Sequence, residues 1–213
     1  MKTALIIQGG WDGHEPALVA KFFTDALEAE GFAVTVSDTL NALNDLNALK
    51  SYDLISPCWT MGQLSEEQSR NLCEAIHSGI GLGGFHGGMG DAFRGDLNYE
   101  WMVGGHFVGH PYVGSYSVNI KKTAHPITQG LPGTFVYDSE QYYMMVDPGI
   151  DVLAETVYHY EGKAVTMPVI WTKQWGQGRV FYSALGHKAE EFINHPAVAS
   201  MTVKGMKWAA RSI

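Results

Sequence analysis

Nine histidines against four arginines, and 25 glycines in 213 residues, direct attention first to imidazole. It is the side chain that titrates nearest neutral pH, so it serves proton transfer and metal binding. Glycine supplies the tight turns on which such a group can be displayed. His14 and Glu15 follow the apolar run Thr3–Ile7, Trp59 follows Tyr52–Ser56, His86 follows Ile80–Phe85, and His187 follows Arg179–Ser183. Each run reads as a strand, so these side chains gather at one edge. In an open parallel sheet that edge, beyond the carboxyl ends of the strands, is where sites form.

Gly84-Phe85-His86-Gly87-Gly88 has the spacing of a nucleophile elbow, in which flanking glycines let a strand turn sharply into a helix. Histidine stands where such elbows carry Ser or Cys, which argues against an acyl-enzyme. An imidazole there suits a general base, a hydrogen-bond donor to a carbonyl, or a metal ligand. His106 and His110 lie four apart, but Gly104, Gly105, Gly109 and Pro111 argue against the helix that would give this spacing meaning. His125-Pro126 and His195-Pro196 read as a turn and a helix start, and His77 and His159 as surface residues. Asp138 and Glu140 sit among aromatics in Val136–Tyr142; they either orient the imidazoles or form an exposed acidic loop. Trp11, Trp59 and Tyr142 are candidates to stack on or hold a sugar ring.

The elements that must position these groups follow from periodicity. Thr3–Ile7, Phe32–Val36, Tyr52–Ser56 and Ile80–Phe85 read as strands. Leu18, Val19, Phe22, Phe23, Ala26 and Leu27 mark one face of a helix opened by Pro16. Ser65-Glu66-Glu67-Gln68 is a capping box opening a second, with Leu72, Cys73 and Ile76 inward. Later, Tyr112–Ile120, Asp151–Val157, Val165–Thr172 and Arg179–Ser183 read as strands, and Pro196 opens a last helix. Strands alternating with helices predict an α/β domain over residues 1–213: a doubly wound, mostly parallel sheet with an antiparallel extension.

Composition narrows the partners. A net charge of −8 and a sequence pI near 5.5 give no electrostatic footprint for nucleic acid or anionic membrane. At 46% hydrophobic and 17% charged, the chain is not a disordered one. Its apolar runs fall short of the roughly 18 residues a membrane span needs, and the opening run is too short for a signal sequence. Cys58 and Cys73 lack paired spacing, which suits a reducing cytoplasm. No dinucleotide fingerprint or phosphate loop is present.

Taken as a set, several segments resemble the ThuA-like (trehalose-utilisation) family, which is similar in fold to class I glutamine amidotransferases and flavodoxin-like proteins. They are Gly10–Pro16, Gly84–Gly88, Gly104–Pro111, His125–Leu131, Asp138–Tyr142, Pro168–Trp171 and Gly176–His187. Amidotransferases carry Cys at the elbow, so His86 removes the expectation of glutaminase activity. The acidic segment reads Asp-Ser-Glu where many relatives have adjacent Asp-Glu, leaving open whether Asp138 or Glu140 takes the family role. The resemblance implies bacterial disaccharide catabolism through 3-keto-glycosides. The expectation is therefore an enzyme acting on a keto-sugar, with His86, His14, His187, Glu140 and His110 catalytic and Trp11, Trp59, Asp138 and Tyr142 binding substrate. The alternatives are a metal-dependent hydrolase of a small polar substrate, with zinc on His14, His86 and His187, and a non-catalytic sugar-binding accessory protein. A two-fold homodimer is the default assembly for a domain of this size.

Overall fold

A computed structural model describes residues 1–213. Its core is one mixed nine-stranded sheet. The first half runs β1 (Lys2–Gly10), α1 (Pro16–Ala29), β2 (Phe32–Ser37), α2 (Leu46–Leu49), β3 (Leu54–Thr60), α3 (Glu66–His77), β4 (Gly81–Phe85), α4 (His86–Gly90) and α5 (Leu97–Val103). The second runs β5 (Gly105–Ile120), β6 (Thr134–Val146), β7 (Asp151–Tyr160), β8 (Lys163–Trp175), β9 (Gly178–Ser183), α6 (Ala189–Asn194) and α7 (Pro196–Ala209). The strand order is β2-β1-β3-β4-β9-β8-β7-β5-β6.

Local chemistry explains the elements that position the site. Ala4–Ile7 is buried throughout, as a strand covered on both faces requires. Asp53 fastens this strand to the start of β3: it accepts from Lys2 Nζ at 2.8 Å and from the Thr3 backbone N–H at 2.9 Å. Pro16 occupies the first turn of α1, where its missing N–H costs nothing. At α3, Ser65 Oγ accepts from Gln68 N at 3.2 Å, and the Gln68 side chain accepts from Ser65 N at 3.0 Å. That reciprocal cap contributes about 1 kcal/mol.

β1, β2, β3, β4 and β9 are mutually parallel; β9, β8, β7, β5 and β6 pair antiparallel. The α/β expectation holds, but the proportions differ from it. The antiparallel strands are half of the sheet rather than an extension, and they share its core through Trp171, Tyr137 and Tyr182, all fully buried. Trp171 donates its indole N–H to Val103 O at 2.9 Å, tying β8 to the end of α5.

Three local expectations need correction. Trp59 does not follow its strand but lies inside it, because β3 runs to Thr60. The strand read from Tyr112 begins at Gly105, so His106 and His110, not helical as their glycines and Pro111 indicate, lie on β5, with irregular register between Phe107 and Tyr112. Residues 136–142 are not a loop but the middle of β6. Polar and aromatic residues share both faces of that strand, which hides the alternation an exposed antiparallel strand usually shows.

Candidate active site

Four side chains meet at the carboxyl edge of the parallel strands. His14 comes from a single helical turn, Asp12–His14, that follows β1. His86 opens α4 directly after β4. His187 lies just beyond β9, its backbone N–H donating to Glu191 Oε2 at 3.0 Å. Glu140 comes from β6, in the antiparallel half.

The elbow at His86 is real and strained. His86 has φ +45°, the left-handed region that few non-glycine residues occupy, Asn, Asp and His more often than the rest. Its carbonyl accepts from Tyr182 OH at 3.1 Å and its Nδ1 meets Tyr142 OH at 2.9 Å. Two buried tyrosines therefore hold the residue in that conformation. Gly87 is needed beside it, since a Cβ there would strike the His14 ring. His14 is oriented in turn by Thr60 Oγ1, 2.8 Å from its Nδ1. That contact follows from the register of β1 on β3, which pairs Gly10 with Thr60.

With those nitrogens occupied, the opposite edges of the rings face one another. Ring centroids are 4.9 Å apart for His14 and His86, 4.8 Å for His14 and His187, and 5.3 Å for His86 and His187. Glu140 Oε2 stands 3.5 Å from His86 Nε2 and 3.4 Å from His187 Nδ1, and its Oε1 stands 3.7 Å from His110 Nε2. His86 Nε2 and His187 Nδ1 are buried without a hydrogen-bond partner, an arrangement that costs stability unless something fills the space between them. His14, Thr60, Cys58, His86 and His187 line a cavity of about 10 Å³.

Burial disfavours the charged forms of His14 and His86. Burial, then the neighbouring His187, lowers His14 to about 4. Burial, then His14 and His187, holds His86 well below the ordinary imidazole range. Burial pushes the Glu140 carboxyl up, but the facing His187, His110 and His14 outweigh it and leave it below the usual carboxylate range. Cys58 lines the same cavity, its thiol pushed up to about 12 by burial.

The other sequence candidates separate clearly. His110 is at the mouth, half exposed, facing Glu140 from outside. Trp11 is 47% exposed with its ring 4.7 Å from His14, edge to face. Tyr142 is buried, its hydroxyl 2.9 Å from His86 Nδ1. Asp138 points away from the cluster and accepts from Ser115 Oγ at 2.6 Å. Between the two carboxylates left open by the sequence, only Glu140 reaches the imidazoles. Trp59 packs over Gly9 and Gly62, and His106 pairs with Glu100 at 3.3 Å. Thr60 and Tyr182 were not foreseen. The first depends on strand register and the second on a contact across the sheet, and neither leaves a signal in a linear motif.

The family described as ThuA, trehalose utilisation, matches residues 3–209. The chain belongs to the ThuA family. ThuA-like proteins of known structure share its fold. One from Bacteroides uniformis superposes with a TM-score of 0.79 at 20% identity, covering 98% of this chain and 91% of its own. One from Parabacteroides merdae gives 0.78 at 21% identity, covering 100% and 90%. A cytoplasmic protein from Salmonella typhimurium gives 0.69 at 12% identity, covering 98% and 99%. No curated protein matches the chain. No helix of this ThuA-family chain is long and apolar enough to cross a membrane.

Proposed function

We propose that the chain is an enzyme of carbohydrate catabolism that acts on a keto-sugar or 3-keto-glycoside by acid–base chemistry. The observation that carries this reading is Glu140, whose carboxylate faces His86, His187 and His110 at 3.4–3.7 Å at the edge of the parallel strands. In the same reading the parallel half is a doubly wound, flavodoxin-like unit, and substrate enters the crevice at its carboxyl edge. The trehalose-utilisation description of the family supports a glycoside as the substrate class.

A ketone acidifies the C–H beside it. The base removes that proton, the electron pair forms a C=C bond, and the glycosidic oxygen on the next carbon leaves and is protonated. Addition of water to the resulting enone then releases the free keto-sugar. In this reading His110 carries the proton: it is half exposed, and Glu140 Oε1 lies 3.7 Å from its Nε2. General acid–base steps of this kind contribute about 10²–10⁴ in rate. The inner rings of His14, His86 and His187 bind the ketone oxygen side, and exposed Trp11 stacks on the C–H face of the sugar. A cytoplasmic setting and a two-fold dimer complete the reading; the first is supported by the name of the Salmonella protein.

The test is exchange in deuterated water. Incubated with 3-keto-glycosides, the protein is expected to introduce deuterium at the carbon beside the ketone and to release the aglycone, both seen by NMR. Glu140→Gln is expected to suppress both. Neither exchange nor release across a panel of glucosides and galactosides in 3-keto form would overturn the proposal.

A further inference from the structure

The acid–base reading leaves one requirement open: a ketone loses its neighbouring proton easily when its oxygen is polarised by hydrogen-bond donors, a cation or a metal ion. No arginine or lysine lines the cavity beside His14, His86 and His187, and His86 Nε2 and His187 Nδ1 are buried without hydrogen-bond partners. We propose that His14, His86, His187 and Glu140 bind one divalent transition-metal ion of the zinc class. The role of that ion in polarising a ketone rests on the function proposed above; its binding does not.

Geometry carries the proposal. One donor atom from each of the four residues lies within 4.8 Å of the other three. A tetrahedral ion with bonds of about 2.0–2.1 Å has ligand–ligand edges of about 3.3 Å. The Glu140 Oε2 distances to His86 Nε2 and His187 Nδ1, 3.5 and 3.4 Å, match that edge and exceed a good hydrogen bond. The same two nitrogens are the ones buried without partners, and the His86 side chain is only 2% exposed. The three imidazoles also line a cavity of about 10 Å³, room for a single ion or water.

The surrounding contacts are those a metal site requires. A ligating histidine holds its other ring nitrogen in a hydrogen bond that fixes tautomer and orientation. Thr60 does this for Nδ1 of His14 at 2.8 Å and Tyr142 for Nδ1 of His86 at 2.9 Å, leaving each Nε2 turned inward. Three imidazoles with one carboxylate select zinc and its neighbours over magnesium or calcium, which prefer all-oxygen shells. His14, His187 and Glu140 are less buried than His86, so the shell is open on the side of Trp11 and His110. A substrate ketone oxygen could coordinate there, and the ion would supply Lewis-acid polarisation.

The experiment titrates chelator-treated full-length protein with Co²⁺ and Zn²⁺. Co²⁺ is followed by its visible ligand-field absorption, and Zn²⁺ by competition and elemental analysis after desalting. One ion per chain is expected, with a Co²⁺ spectrum of mixed nitrogen and oxygen ligation. His86→Asn, which suits the left-handed backbone, and His187→Ala are each expected to weaken Zn²⁺ binding by more than 100-fold; His106→Ala, outside the cluster, is expected to leave it unchanged. Thermal melts should show Zn²⁺ raising the midpoint of the parent protein and of His106→Ala but not of the other two. Should either variant fail to fold, Glu140→Gln serves in its place. A failure to bind either ion, or binding that survives loss of both His86 and His187, would overturn the site. Stoichiometric binding without turnover of any keto-glycoside would uphold the site and overturn the substrate reading instead.

Discussion

The two halves of the sheet contribute to the site by different means. The parallel half presents His14, His86 and His187 on turns that follow β1, β4 and β9, where backbone geometry aims the side chain. His86 is held by a left-handed φ, and His14 by the absence of a Cβ on Gly87. The antiparallel half presents Glu140 and His110 from within strands, where aim is decided by which face of the sheet a position falls on. Strand ends fix a group through local conformation. Strand middles fix it through register, which is set by neighbours distant in sequence.

That contrast orders the experiments. The largest effect is expected from removing one group of each kind: His86→Asn and Glu140→Gln should each reduce turnover by about 10²–10⁴-fold, measured on a keto-glycoside with circular dichroism confirming the fold. Full activity in Glu140→Gln would show that the parallel half acts alone. Next come the glycines. Gly87→Ala drives a methyl into the His14 ring and should destabilise the protein by about 1–3 kcal/mol while lowering activity. Gly109→Ala, in the irregular stretch of β5 with open space around it, should stay within about 0.5 kcal/mol. Equal effects by denaturant titration would erase the distinction between turn-fixed and register-fixed positions. Tyr142→Phe should cost about 10–100-fold in Zn²⁺ affinity with little loss of stability, because it removes only the hydroxyl that orients His86.

The smallest effect concerns the anchors of the two halves. The carboxyls of Asp53 and Asp147 lie below the usual carboxylate range. At Asp53 burial is outweighed by Lys2 and Thr3; at Asp147 the lowering comes first from Lys173, 2.6 Å away. Each binds its proton more weakly folded than unfolded. Their stabilisation is therefore complete above the unfolded pKa of about 3.9 and fades as pH falls through the folded value. Asp53→Asn and Asp147→Asn should each flatten the acid limb of stability against pH. A steeper limb in either variant would contradict the assignment for that half.

The same contrast explains what could be read beforehand. The turns after β1, β4 and β9 announce themselves through Gly9-Gly10, Gly84-x-His86-Gly87-Gly88 and Gly186-His187, because turn chemistry is local. So His14, His86 and His187 were visible as a group. Glu140 was visible only as one of two carboxylates. Choosing it over Asp138 required knowing that β6 exists, that Glu140 and not Asp138 reaches the imidazoles, and that Val113 pairs opposite Glu140. Tyr142 was visible as an aromatic near acids, but its contact with His86 joins residues 56 apart in sequence, which no linear motif encodes. α5 was missed because its seven residues are too short for periodicity, although Asp96 caps it by accepting from Tyr99 N at 3.1 Å.

β9 is the last strand to be translated, yet it sits fifth of nine across the sheet, between β4 and β8. Until residues 178–183 leave the ribosome, the strands on either side of it have no common neighbour, and β4 and β8 each present an unpaired edge. At about 5–20 residues per second, the edge of β4, which ends at Phe85, waits about 5–20 seconds for β9, that of β8 about a second, and His187 emerges only after both are covered. The nascent chain is thus committed to making two exposed sheet edges before His14, His86, His187 and Glu140 can come together. Chaperone demand during synthesis, rather than stability of the finished molecule, is where this topology places its burden.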